Sequence, residues 1–122
     1  MNILVVDEDA GVRDLLSGTM RKLGHDVVCV SNGRQAVDHV KQNHVDLSYI
    51  DVNLPDGDGF RVLWAMRKIR PKLGGVMLSR VGMRRLLEQM LMNPDGIFWC
   101  ATKPLTAERT EYITTCFGQA LP

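Results

Sequence analysis

The chain has 122 residues, 45% of them apolar and 24% charged, enough for one compact core and too few for two ordinary domains. Fifteen basic residues against fourteen acidic ones leave a formal charge of +1, so no overall field recommends nucleic acid or an anionic membrane as a partner. Cys29, Cys100 and Cys116 stand far apart with no CxxC pair, the start MNILVV has no basic stretch before its apolar residues, and no apolar run approaches a membrane span. Free thiols in a reducing, cytoplasmic setting are the default reading.

Ile3 to Val6 is a continuous apolar run and reads as a strand; Val12, Leu15, Leu16, Met20 and Leu23 then recur at helical spacing and stop at Gly24. Val27 to Val30 reads as a second strand, closed by Asn32-Gly33. Leu47 to Ile50 is the third, softened by Ser48 and Tyr49, and Pro55 to Gly59 turns it into the next helix. Pro71 with Gly74-Gly75 interrupts the chain before a fourth strand, Val76 to Leu78. Met83, Leu86, Leu87, Met90 and Leu91 form a helical stripe whose methionines read as core filler, and Asn93-Pro94-Asp95-Gly96 ends it. Ile97 to Cys100 is the fifth strand, and Ile113, Cys116, Phe117 and Ala120 mark a last helix.

Continuously apolar strands, as opposed to alternating ones, belong to a parallel sheet covered on both faces. Five strands alternating with five helices, joined by right-handed crossovers, give an open α/β sheet whose binding crevice lies at the carboxyl ends of the strands. Those ends carry Asp7, Glu8 and Asp9, then Asp51, Ser79 and Lys103. Acids gathered in one crevice repel, and a hard divalent cation such as Mg²⁺ suits oxygen ligands of this kind. A lone acid after a strand is ordinarily a helix cap, which is the reading for Asp9. Asp7, Glu8 and Asp51 with Lys103 come together only through the fold, and their roles fit one reaction. His25, His39 and His44 fall at helix ends or on polar faces and take no part in it.

The stretches ILVVDED (Ile3 to Asp9), DLSYIDVNLPDGDGF (Asp46 to Phe60), MLS (Met77 to Ser79) and KP (Lys103-Pro104) together resemble the bacterial response-regulator receiver family, in the family's order and nearly its spacings. The resemblance implies a flavodoxin-like, doubly wound sheet of strand order 2-1-3-4-5 and a single receiver domain over 1–122. By the same resemblance Asp51 is the phosphoacceptor. Glu8, Asp51 and the Asn53 backbone carbonyl ligate Mg²⁺, Asp7 acts through a water, Ser79 is the hydroxyl that turns toward the phosphoryl group, and Lys103 is the cation that pairs with it. The Lys103–Pro104 bond is then cis. The donor is a histidine kinase or a histidine phosphotransfer protein. Such a domain is not an enzyme, although it assists its own phosphorylation and dephosphorylation; its signal passes to an output domain, a downstream protein or a second copy in a homodimer.

Three positions depart from that pattern. Arg80 follows the switch hydroxyl where the family keeps a small residue, and either partners phosphate or points to solvent. Cys100 stands three before Lys103, where an aromatic is usual; strand alternation puts Phe98 on its face and Trp99 on the other. The interval from Ser79 to Lys103 is slightly long, with the extra chain around Met92 to Gly96. Other readings fit less well. A degenerate receiver, docking partners without phosphorylation, leaves the full acidic set and Lys103 without purpose. An FMN site wants a hydroxyl- and glycine-rich loop where the first acids stand. An aspartyl-phosphate phosphatase would use Asp7 and Asp9 but leave Asp51 and Lys103-Pro104 unexplained, and an EF-hand fails at Pro55, Asp56 and Val62.

Overall fold

A computed structural model describes residues 1–80, 82–92 and 95–121, and of Met83 and Arg85 the backbone alone. The elements are β1 (Asn2–Val6), α1 (Ala10–Lys22), β2 (Asp26–Val30), α2 (Gly33–Gln42), β3 (Leu47–Asp51), β4 (Asn53–Leu54), β5 (Gly57–Asp58), α3 (Gly59–Ile69), β6 (Gly74–Ser79), α4 (Met83–Met92), β7 (Ile97–Thr102) and α5 (Ala107–Ala120). Five long strands pair in parallel in the order β2-β1-β3-β6-β7, which is the expected 2-1-3-4-5 once the two-residue ribbon β4-β5 is set aside. Asn93 and Pro94, in the region of the expected extra chain, lie outside the described residues.

Alternate side chains of each strand feed two separate cores. Ile3, Val5, Tyr49, Val76 and Leu78 pack with Leu16 and Met20 of α1 and Ile113 and Phe117 of α5. Leu4, Val6, Ile50 and Met77 pack with Val40 of α2, Leu63 and Met66 of α3 and Leu86 of α4. Each such fully buried side chain stabilises the fold by roughly 1.5–3 kcal/mol, so the central strands are anchored from both faces. They present the site from that rigid base. Helix α1 ends in a Schellman turn: Gly24, at φ +89°, donates to Arg21 O, and the His25 N–H reaches Met20 O.

Gly74 and Gly75, expected to break the chain, are instead the first residues of β6. Their bareness serves packing, because a Cβ on Gly74 would stand 2.4 Å from the Phe117 ring and one on Gly75 2.7 Å from Leu63. The sheet dips there to admit both side chains. Ser48 and Tyr49 of β3 are each satisfied: Ser48 Oγ donates to Leu4 O at 3.0 Å, and Tyr49 Oη meets Thr114 Oγ1 at 2.7 Å and Thr110 O at 3.3 Å.

Tyr49→Phe would take the partner from the Thr114 hydroxyl and should lower stability by roughly 1–2 kcal/mol in urea unfolding at pH 7. Burial pushes the Tyr49 hydroxyl up to about 12, against about 10 in an unfolded chain. The tyrosine's contribution is therefore complete below pH 10 and lost as pH rises toward 12. The gap between parent and variant should narrow across that window.

Candidate functional site

Three strands of the sheet deliver charged groups to one point. Asp7 follows β1, Asp51 ends β3, and Lys103 follows β7. Lys103 Nζ lies 2.9 Å from Asp51 Oδ2 and 2.5 Å from Asp7 Oδ2, with side-chain exposures of 5% for the lysine, 11% for Asp51 and 1% for Asp7. The remaining oxygens are held by backbone: Asp9 N–H donates to Asp7 Oδ1 at 2.9 Å, and Asn53 N–H to Asp51 Oδ1 at 3.0 Å. Asp7 Oδ2 has the Lys103 ammonium as its ion-pair partner. The Lys103–Pro104 peptide is cis, and the Lys103 N–H donates to Ser79 O at 2.8 Å.

The loops around this point are tightly specified. Gly59, at the start of α3, passes so close to the end of β3 that a Cβ would stand 2.2 Å from Asp51 O, and no other residue fits without moving the acid. Asp58 caps α3 by accepting the Phe60 N–H at 2.8 Å. Asp9 caps α1 through the Gly11 and Val12 N–H groups, as expected of an acid after a strand. Those two N–H groups hold its carboxyl below the usual range, and the nearby Arg80 adds to the effect.

An open cavity of about 370 Å³ is lined by Asp7, Glu8, Asp9, Asp51, Asn53 and Arg80. Four carboxylates contribute −4 and Lys103 with Arg80 contribute +2, which leaves −2. A divalent cation cancels that charge, and its hard-oxygen preference matches the donors. The residues thus fit a Mg²⁺ ion. Among the described residues no three acidic, histidine or cysteine side chains already converge on one point, because Lys103 stands between Asp7 and Asp51 and Glu8 is exposed.

Ser79 is fully buried and borders a neighbouring cavity of about 270 Å³ with Asn53, Asp58, Phe60, Leu86 and Gln89. Asn53 lines both cavities, so the two adjoin. Arg80 is largely exposed, as one of its two expected readings has it, and also meets an acid that neither reading included. Its Nη2 pairs with Asp9 Oδ2 at 2.9 Å across the rim of the acidic cavity.

Cys100 requires a correction. Between Gly75–Ile97 and Val76–Trp99 the register of β6 and β7 slips, making Phe98 an extra, bulged residue. Phe98 and Trp99 consequently both pack toward the α1 and α5 side, while Cys100 faces the other core, with its Sγ 3.5 Å from Met90 Sδ. Burial pushes the Cys100 thiol up. Two contributors carry no sequence signal. Arg13 Nη1 donates to the backbone oxygens of Asp7 and Glu8 at 2.7 and 2.8 Å, and Asp56 accepts the Gly33 and Arg34 N–H groups at 2.8 and 2.9 Å, tying α2 to the loop after β3.

Residues 3–113 match the family model described as the response regulator receiver domain. The chain is 27% identical over 119 residues, 98% of its length, to the sensor histidine kinase RcsC of Escherichia coli K12, and spans 12% of that kinase. It is 30% identical over 87 residues to sporulation initiation phosphotransferase F of Bacillus subtilis, covering 71% of this chain and 70% of that one. The fold superimposes on a two-component response regulator from Clostridium difficile with a TM-score of 0.87 at 21% identity, covering 98% and 96% of the two chains.

Because one ammonium serves two buried carboxylates, the two sides of the contact respond oppositely to removal. Lys103→Met should cost about 3 kcal/mol at pH 7 in EDTA, since both acids lose their counter-charge. Asp51→Asn leaves a one-to-one pair and should raise stability by on the order of 1 kcal/mol under the same conditions. Urea unfolding of both variants checks this, and a destabilised Asp51→Asn would show that the Asn53 N–H bond outweighs the repulsion.

Proposed function

The chain belongs to the response regulator receiver family, and we propose that it takes a phosphoryl group on Asp51 from a phosphohistidine donor in a Mg²⁺-dependent reaction. One observation carries the assignment: Asp51 ends the central strand β3 at an acidic cavity and shares the buried Lys103 ammonium with Asp7. Glu8, Asp51 and the Asn53 carbonyl would hold the Mg²⁺, with Asp7 behind a water. The ion supplies positive charge for the phosphoryl oxygens.

The chain's own residues do the rest. An Asp51 oxygen attacks phosphorus; the bond from phosphorus to the donor's imidazole nitrogen breaks as the new P–O bond forms, and the imidazole leaves with the electron pair. Lys103 is already in place to offset the charge spread over the transferring oxygens. Gly59 and the Asn53 N–H fix the attacking carboxylate. Ser79, in the adjoining cavity, is the hydroxyl whose approach to the phosphoryl group couples chemistry to a change of shape.

We read residues 1–122 as one receiver domain whose donor is a histidine kinase or a histidine phosphotransfer protein, a reading supported by its likeness to a sensor histidine kinase and to a sporulation initiation phosphotransferase. Its signal would pass to an output domain, a downstream protein or a second copy. The thiols of Cys29, Cys100 and Cys116 are free, which supports a reducing compartment such as the cytoplasm. No helix among the described residues is long and apolar enough to cross a membrane.

Incubation with acetyl phosphate and Mg²⁺ should add one phosphoryl group by intact mass, and either EDTA or Asp51→Asn should abolish it. An unchanged mass for folded parent protein would favour a module that docks partners without phosphorylation.

A further inference from the structure

The Arg80–Asp9 pair closes one side of the cavity into which Asp51 opens, and nothing in the reaction above uses it. We propose, resting on Asp51 as the phosphoacceptor, that Arg80 is a second phosphoryl-binding cation that is stored on Asp9 in the unphosphorylated state and exchanges to the phosphoryl oxygens once they arrive. Three observations carry this. Arg80 lies two residues beyond Leu78, the residue that pairs with Asp51 across the sheet, and it lines the same cavity. The side chains of Arg80 and Asp9 are 66% and 41% exposed, so the ion pair is weak and readily given up. Asp9 is held independently by the Gly11 and Val12 N–H groups on its Oδ1, so the helix cap survives the departure of Arg80 from Oδ2.

A phosphoryl group offers up to three oxygens, and a guanidinium meets two of them in parallel where Asp9 gives it one. Once exchanged, Arg80 covers the open side of the acyl phosphate. Hydrolysis requires a water oxygen to attack phosphorus while the P–O bond to Asp51 breaks; the carboxylate is restored, one proton stays on inorganic phosphate and the other passes to solvent. Arg80 slows that attack by occupying the water's approach. Asp9 competes for the same guanidinium and sets how completely the cover forms.

The experiment is decay of the acyl phosphate after the donor is removed, followed by intact mass in Mg²⁺ for parent, Arg80→Ala, Arg80→Lys and Asp9→Asn, each checked for folding by thermal unfolding. Arg80→Ala should shorten the half-life severalfold and Arg80→Lys should fall between. Asp9→Asn keeps the cap but frees Arg80, and should lengthen it. A pair with a purely structural role would shift the half-life the same way from either side, and that result, or an unchanged half-life in Arg80→Ala, overturns the proposal. Failure of the parent to form any adduct defeats both this inference and the assignment of Asp51, whereas adducts with equal lifetimes defeat the role of Arg80 alone.

Discussion

Two buried carboxylates sharing one ammonium set the terms for everything at the carboxyl edge of this sheet. Asp7 and Asp51 are nearly inaccessible, and Lys103 reaches both from the far strand β7. A low-dielectric setting makes each charge expensive to leave uncompensated, so the arrangement holds only while three separate strands keep their registers. The two cores beneath the sheet supply that rigidity. The deficit of positive charge at the surface of the same cluster leaves the cavity net negative, a field that favours a cation.

The loops translate this electrostatic demand into position. Arg13 draws in the backbone of Asp7 and Glu8, while Gly59 lets α3 begin against the end of β3. Asp56 anchors the same connection to α2 from the other side. None of these residues lies between Asp51 and Lys103, yet each fixes a backbone atom on which the acids depend. A change at Gly59 would act through geometry alone, whereas one at Arg13 would also remove a positive charge beside the acids.

Asp7, Asp51 and Lys103 were legible in the sequence because each directly follows or ends an apolar run, and a parallel sheet gathers such positions on one edge. The helical stripes were legible from their spacing, whereas the strand order came from the resemblance to the receiver family. Arg80 was not, because its partner Asp9 stands 71 residues away and the choice between phosphate and solvent omitted a neighbouring acid. Trp99 does face away from Cys100, but Phe98 was misplaced on the Cys100 face because period-two alternation assumes no inserted residue, and the bulge at Phe98 inserts one. Gly74 and Gly75 looked like breakers since nothing local reveals that Phe117 and Leu63 need their space. Arg13 donates to backbone oxygens, acceptors that every residue possesses and that leave no trace in composition.

That bulge also divides the mechanical character of the sheet's edge. On the α5 side Phe98 stacks edge-on to Phe117 with ring centroids 5.0 Å apart, and Trp99 does the same to Tyr112 at 6.1 Å, a stiff interlock of flat rings. On the α4 side the strand offers Cys100 to Met90, a contact of two polarizable sulfurs on a small and a flexible side chain. Rings resist sliding because their preferred geometries are narrow, whereas thioethers re-seat with little penalty. The edge therefore packs through rings of narrow preferred geometry along α5 and through adaptable sulfurs along α4, so the α4 side accommodates a substitution more readily.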